Sequence, residues 1–400
     1  MHSRPNSGLE PSRGIWSRSY ASALGANFLI FFVTSTFVLY PLLIKRSGGT
    51  DTDVGLVMGV FSLVSVLLRP VAGAVADRVG GRWVVLVGLA IMAAVVPAFA
   101  WVEASGPGAI ALRVALGAGW SLVGSPLMAL ATRLTPQDRL AETLGLYGIS
   151  GLSAHALAPL FAEWFVDRWG FGALFGANCA LTLGALAAVA SIPAQAATPA
   201  EREPTASDPG LGVTLRFALA AAVLLAVAHG AVRGVSVGFM AAYCHAVGLE
   251  RSSPFFIALT VAALLTRFRL AGLPDRIGER RVAVPTAVLI AANGLLIARV
   301  GSLPVLVLAG LLAGLGQGLI FPALSSLFVR LIGERRRAFA LALYATCFEA
   351  GAGLGLPAFG RIADGFGYRW MYASSGALML LAVLVFAVAT RRRAGRLLSP

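Results

Sequence analysis

Arg69-Pro-Val-Ala-Gly73-Ala-Val-Ala-Asp77-Arg78-Val-Gly80-Gly-Arg82 occurs early in the chain, and Arg267-Phe-Arg-Leu-Ala-Gly272-Leu-Pro-Asp275-Arg276-Ile-Gly278-Glu-Arg280 occurs later. Arg, Asp, Arg, Gly and Arg keep one register in both. Each stretch joins the end of one apolar segment to the start of the next, so the pair predicts a duplicated architecture. Further echoes keep nearly the same spacing: Tyr147 with Tyr344, Pro159 with Pro357, Asp167 with Asp364, Gly170 with Gly367, and Gly117-Ala-Gly119 with Gly314-Leu-Gly316.

The residues around these stretches fix the environment. The chain has 400 residues, of which 58% are hydrophobic and only 12% charged, against about 25% charged in soluble domains. With a mean hydropathy of +0.82, it reads as a polytopic all-α membrane protein. Runs of about 20 apolar residues span a bilayer as helices. Twelve are expected, near 20–44, 54–75, 83–102, 107–130, 140–163, 172–192, 216–240, 254–273, 282–299, 303–328, 338–360 and 370–390. Residues 193–215, rich in Pro, Ala, Ser and Thr, read as a linker. The expected organisation is therefore a tail at 1–19, a six-helix bundle at 20–192, the linker, a second pseudo-symmetric six-helix bundle at 216–390, and a tail at 391–400.

Basic residues set the expected orientation. With both termini cytoplasmic, 20 of the 32 Lys and Arg residues fall inside, 7 outside and 5 within or at the ends of spans. The net charge of +14 therefore anchors loops, and no nucleic-acid partner is expected. Cys179, Cys244 and Cys347 form neither a disulfide framework nor a metal motif. No metal site is expected. Residues 1–19 lack an apolar core of the signal-peptide kind.

Intramembrane polar residues mark candidate function. Glu349, central in the eleventh span, reads as the only acidic residue deep in any span. A desolvated carboxyl is suited to carrying a proton, though a structural hydrogen bond is the simpler role. Arg113 in the fourth span and Arg233 in the seventh could tune such an acid or hold an anionic group; near a membrane edge, an Arg can instead snorkel. His155 lies one helical turn before Pro159, and His229 pairs at i, i+4 with Arg233. Asn27 and Gln317 are cavity contacts or interhelical hydrogen-bonding groups. The missing Gly-x-x-x-x-Gly-Lys-Ser/Thr loop argues against an ATP-driven pump.

These residues resemble the major facilitator superfamily. Its loop signature Gly-x-x-x-Asp-Arg-x-Gly-Arg-Arg is matched by Gly73 to Arg82, with Gly81 at a usually basic position, and the related loop between the eighth and ninth helices is Gly272 to Arg281. Arg113-Val-Ala-Leu-Gly117-Ala-Gly119 is similar to its fourth-helix signature, with Leu116 in place of Gln. The Gly- and Pro-rich run from Gly148 to Leu160 is similar to the fifth-helix signature of proton-driven exporters, with Phe161-Ala162 in place of Gly-Gly. The Arg-Pro start of the first stretch and Phe321-Pro322-Ala323-Leu324 look most like a bacterial efflux-permease branch that includes arabinose-efflux-like proteins and metallophore exporters.

The resemblance implies a monomeric secondary active transporter of the bacterial inner membrane, with no enzymatic activity and no cofactor. Its partners would be protons, lipids and a small-molecule substrate. Proton-coupled export of a small organic compound is the leading expectation. Import of a sugar or organic acid with protons is the alternative, and a non-transporting scaffold or sensor comes third. The two loops would form a cytoplasmic gate: Arg69, Gly73, Asp77, Arg78, Gly80 and Arg82 from one half, and Arg267, Asp275, Arg276, Gly278 and Arg280 from the other. Gly73 and Gly80 are expected to permit close backbone approach.

Overall fold

The computed structural model describes residues 15–136, 139–194, 213–270, 272–333 and 336–391. Among these every regular element is helical. The elements are α1 (Arg18–Thr36), which continues through a 3-10 turn at Phe37–Leu39 into α2 (Tyr40–Arg46), then α3 (Asp51–Val79), α4 (Gly81–Ala98), α5 (Pro107–Arg133), α6 (Leu140–Ala190), α7 (Val213–Gly238), α8 (Met240–Ala246), α9 (Ser253–Leu270), α10 (Leu273–Ile277), α11 (Glu279–Ile297), α12 (Leu303–Ile332), α13 (Arg337–Phe366) and α14 (Tyr368–Arg391). Eleven of these helices, α1 and α2 counting as one, are long and apolar enough to cross a membrane. α6 holds two crossings, which makes twelve.

Local chemistry explains several boundaries. Thr50 and Asp53 form a reciprocal capping box at the start of α3, so one side chain at each end of the turn satisfies an otherwise orphaned N–H. Pro107 opens α5 and Pro304 lies in the first turn of α12, where a missing N–H costs nothing. A loop was expected between the fifth and sixth spans. Instead α6 runs through 51 residues, broken only at Gly170 with φ 79° and ψ 176°. Gly367 (φ 82°) makes the corresponding break between α13 and α14. Only glycine takes this backbone region without strain, which accounts for the Gly170/Gly367 echo.

The helices form two six-span bundles. In the first, α1 packs on α6, α3 on α5, and α4 on α5 and α6; in the second, α7 packs on α13 and α14, α9 on α12, and α11 on α12 and α14. The seam between them is α3 against α13 and α6 against α9. Large apolar side chains such as Leu67, Phe217, Phe268 and Leu384 are exposed, as lipid-facing surfaces require.

The glycine echo in the fourth and tenth spans has a packing cause. Gly117 abuts the α3 backbone at Phe61 and Gly314 the α9 backbone at Leu259, while Gly119 and Gly316 abut Met92 of α4 and Ile290 of α11. A Cβ on Gly314 would stand 2.2 Å from the Leu259 carbonyl oxygen. Gly314→Ala should therefore destabilise the second bundle by about 1–3 kcal/mol. Thermal unfolding in detergent checks this, and an unchanged midpoint contradicts it.

Candidate functional site

A cavity of about 260 Å³ lies between the bundles, walled by side chains from α1, the 3-10 turn, α3, α5, α7 and α13. Phe37, Met58, Phe61, Leu116, Val237, Phe348 and Leu356 make it mainly apolar, and Thr34 and Ser62 add hydroxyls. Arg113 and Arg233 line it from opposite bundles. Arg113 is only 3% exposed. Its guanidinium lies over the rings of Phe37, Tyr40 and Phe61, at 4.8, 5.6 and 5.6 Å from their centroids, and donates to the Met58 thioether. Its Nε has no hydrogen-bond partner. Neither arginine is in an ion pair with a described carboxylate. Arg113 is thus placed inside the protein, not snorkelling, and cation–π contacts offset part of its desolvation.

One end of the molecule is sealed by a reciprocal exchange of acids between bundles. Asp364 of α13 accepts from the backbone N–H groups of Asp51 (2.7 Å) and Thr52 (2.8 Å), the first residues of α3, and from the Thr52 hydroxyl. Tyr368 donates to Asp51, and Lys45 lies 3.4 Å from the same oxygen. On the other flank, Glu163 of α6 accepts from Ser252 N–H (2.6 Å), Ser252 Oγ (2.7 Å) and Ser253 N–H (3.0 Å) at the start of α9. The first N–H groups of a helix have no partner within it, and the helix dipole favours an anion there. Each bundle thus satisfies helix-start N–H groups of the other. The short helices α2 and α8 meet beside these caps.

At the arginine-rich end the described side chains of the two quoted stretches form no bond with one another. Arg82 donates to the Ala190 carbonyl (2.8 Å) and Arg280 to the Ala387 carbonyl (3.4 Å), each within its own bundle. Arg267 lies over the Phe321 ring at 5.7 Å, also within its bundle. Among the described residues, Arg78 and Arg276 form no cross-bundle bond. Asp77 lines a small cleft with Gly80, Arg82, Pro126 and Arg133, again within one half. The side chain of Asp275 lies outside the described residues.

The glycines of these loops also differ from expectation. Nothing stands within 4 Å of where a Cβ on Gly73 or Gly278 would be, so neither serves close approach. Gly80 and Gly278 instead take φ of 92° and 95° at the helix junctions, and that backbone turn explains their shared register.

Among the described side chains of the quoted stretches, Arg69 alone reaches across. It forms an ion pair with Glu349 of α13, whose Oε2 also accepts from Ser65 Oγ at 3.3 Å. The two side chains are 27% and 25% exposed, so Glu349 is paired and partly solvated. It is not the only acid deep in the bundle: Glu163, placed by the sequence at the edge of a span, is 8% exposed and more buried. Asp167, which matches Asp364 in sequence, is exposed; the corresponding role falls to Glu163, one turn earlier.

The remaining polar candidates tie helices within bundles. Asn27 donates to the Tyr147 carbonyl (3.0 Å) and Ser150 Oγ (2.6 Å), joining α1 to α6. His155 shares a hydrogen bond with Ser35 and packs edge-on to Phe31. His229 meets Gln317 at 3.2 Å, joining α7 to α12, and is covered by Phe348. Among the predicted cavity groups, the structure brings Arg113 and Arg233 together, while Asn27, His155, His229 and Gln317 are not among the walls.

Residues 23–273 and 253–399 each match the sequence pattern of the Major Facilitator Superfamily. The staphylopine export protein of Staphylococcus aureus is 25% identical over 379 residues, covering 89% of this chain and 92% of its own length. An MFS-type transporter of Pseudomonas aeruginosa is 29% identical over 351 residues, with 86% and 85% covered. Among solved structures, a bacterial homologue of the human lysosomal transporter Spinster superposes with a TM-score of 0.78 at 15% identity, covering 97% of this chain and 100% of that one. The nucleoside transporter NupG gives 0.77 at 15% identity, covering 94% and 100%. At such identities the likeness is one of fold.

Proposed function

This chain belongs to the Major Facilitator Superfamily, whose members are transporters and not enzymes, and on that premise we propose that it exports a small organic compound in exchange for protons. The observation that carries this reading is the Arg69–Glu349 pair across the seam. Glu349 follows Phe348 and lies three residues before Ala352, both cavity walls, so its charge is felt inside the cavity. A proton on Glu349 removes the attraction to Arg69 and weakens the α3–α13 contact on the arginine-rich side. A carboxylate restores it. The ion thus acts on the same seam that must part and close in alternating access. The proton gradient supplies the energy, with no cofactor. His155 is the second candidate for the proton, although it faces Ser35 and not the cavity.

The basic loops favour placing both termini and the arginine-rich end in the cytoplasm, with the protein in the bacterial inner membrane as a monomer. The exporter relative in Staphylococcus aureus favours outward movement. The test uses proteoliposomes loaded with a pH-sensitive dye and challenged with metabolites, antibiotics and metallophores under an imposed pH gradient. Glu349→Gln should lower compound-dependent proton flux at least tenfold while the protein stays folded. Undiminished flux would remove Glu349 from the coupling step. Compound accumulation driven by protons entering with it would replace export by import.

A further inference from the structure

We propose that the cavity holds an organic anion with an apolar body, its charged group bound by Arg113 and Arg233. This deepens the transport reading by naming the substrate class of the same site. Two guanidinium groups, one from each bundle, face one cavity, and no described carboxylate neutralises either. The acids near the seam are already committed: Glu349 to Arg69, Asp364 to the start of α3, and Glu163 to the start of α9. Arg113 is 3% exposed and its Nε is unpartnered. A buried cation without a counter-charge is costly and tends to mark a ligand pathway.

The aromatic rings beneath Arg113 hold it in place but accept no directional hydrogen bond from its free N–H groups. A ligand carboxylate, phosphonate or sulfonate would. Opposite charge from both bundles also gives the ligand a mechanical role, since binding draws the halves together across the cavity.

The other walls select against a bare inorganic ion. Phe37, Phe61, Phe348, Leu116, Val237 and Leu356 offer apolar surface that a small hydrated anion leaves wet. An anion with an aromatic or branched aliphatic body fills it, and the volume of about 260 Å³ limits that body to a small molecule. Ser62 and Thr34 remain to meet further oxygens.

Thermal unfolding of the full chain in detergent, without any gradient, tests this. Benzoate, 4-phenylbutyrate and phenylphosphonate serve as anions; benzamide and benzylamine as neutral and cationic partners of similar shape; chloride and inorganic phosphate as bare anions. A ligand that binds the folded state raises its unfolding temperature. At matched concentration and ionic strength, at least one organic anion should raise it clearly above every control. Arg113→Gln and Arg233→Gln should each weaken that anion's apparent affinity at least tenfold, while Arg113→Lys and Arg233→Lys retain part of it.

Stabilisation by benzamide or benzylamine equal to the anions overturns the proposal. So does stabilisation by chloride or phosphate equal to the organic anions, or no response to any anion. If a Gln variant fails to fold, the wild-type comparison of anion, amide and amine still decides. Because no proton gradient enters, anion binding stands or falls separately from proton-coupled flux.

Discussion

Replacing both cross-bundle caps, Glu163→Ala with Asp364→Ala, should part the sealed end in most molecules. Each carboxylate satisfies two backbone N–H groups of a helix in the other bundle and one neighbouring hydroxyl. Loss of a helix cap costs about 0.5–2 kcal/mol, and these caps carry full charge against the positive helix end. At about 1–2 kcal/mol each, the double variant shifts the equilibrium between sealed and open forms by roughly thirty- to a thousand-fold. Helix packing within each bundle is untouched, so the protein should still fold. Spin labels at Ser47 and Glu250, in a background lacking Cys179, Cys244 and Cys347, read the separation at that end. A distance distribution identical to the parent's would show that the seam is held by packing alone. Turnover should also fall, because resealing becomes the slow step.

The second large effect concerns Arg69. Arg69→Ala leaves Glu349 facing Ser65 without a counter-charge, and the pair is intermediate between exposed and buried. Such a pair contributes about 1–2 kcal/mol, between the values for exposed and fully buried pairs. Coupled transport should then drop at least tenfold. The exchanged variant Arg69→Glu with Glu349→Arg separates two roles. If pairing alone matters, exchange restores stability and flux together. If Glu349 must pass a proton at its own position, stability returns but proton-coupled flux does not. Restored coupled flux in the exchanged protein would falsify the carrier role of Glu349.

The twelve spans and the duplication were legible because hydrocarbon demands long apolar helices, and because glycines at equivalent junctions must keep one backbone conformation. Gly80 with Gly278 and Gly170 with Gly367 are instances. Arg113 and Arg233 were legible as intramembrane charges. The caps were not, since Glu163 and Asp364 sit near span ends where acids are ordinary. Their partners are main-chain groups, which leave no trace in side-chain identity. The loop stretches gave the right junctions but misled on contacts: an Arg can end on a local carbonyl as readily as on a distant acid, as Arg82 does on Ala190. That Glu349 would meet Arg69 required knowing that α3 and α13 face each other.

The two caps lie on separate flanks of one seam, Asp364 on α3 and Glu163 on α9. A door held by two bolts stays shut when either is drawn. Opening should therefore be steeper than the loss of either bolt suggests, with both single variants nearly closed and the double variant open. In the small open fraction of a protein with one bolt drawn, the bundles should swing about the other, tilting instead of separating evenly.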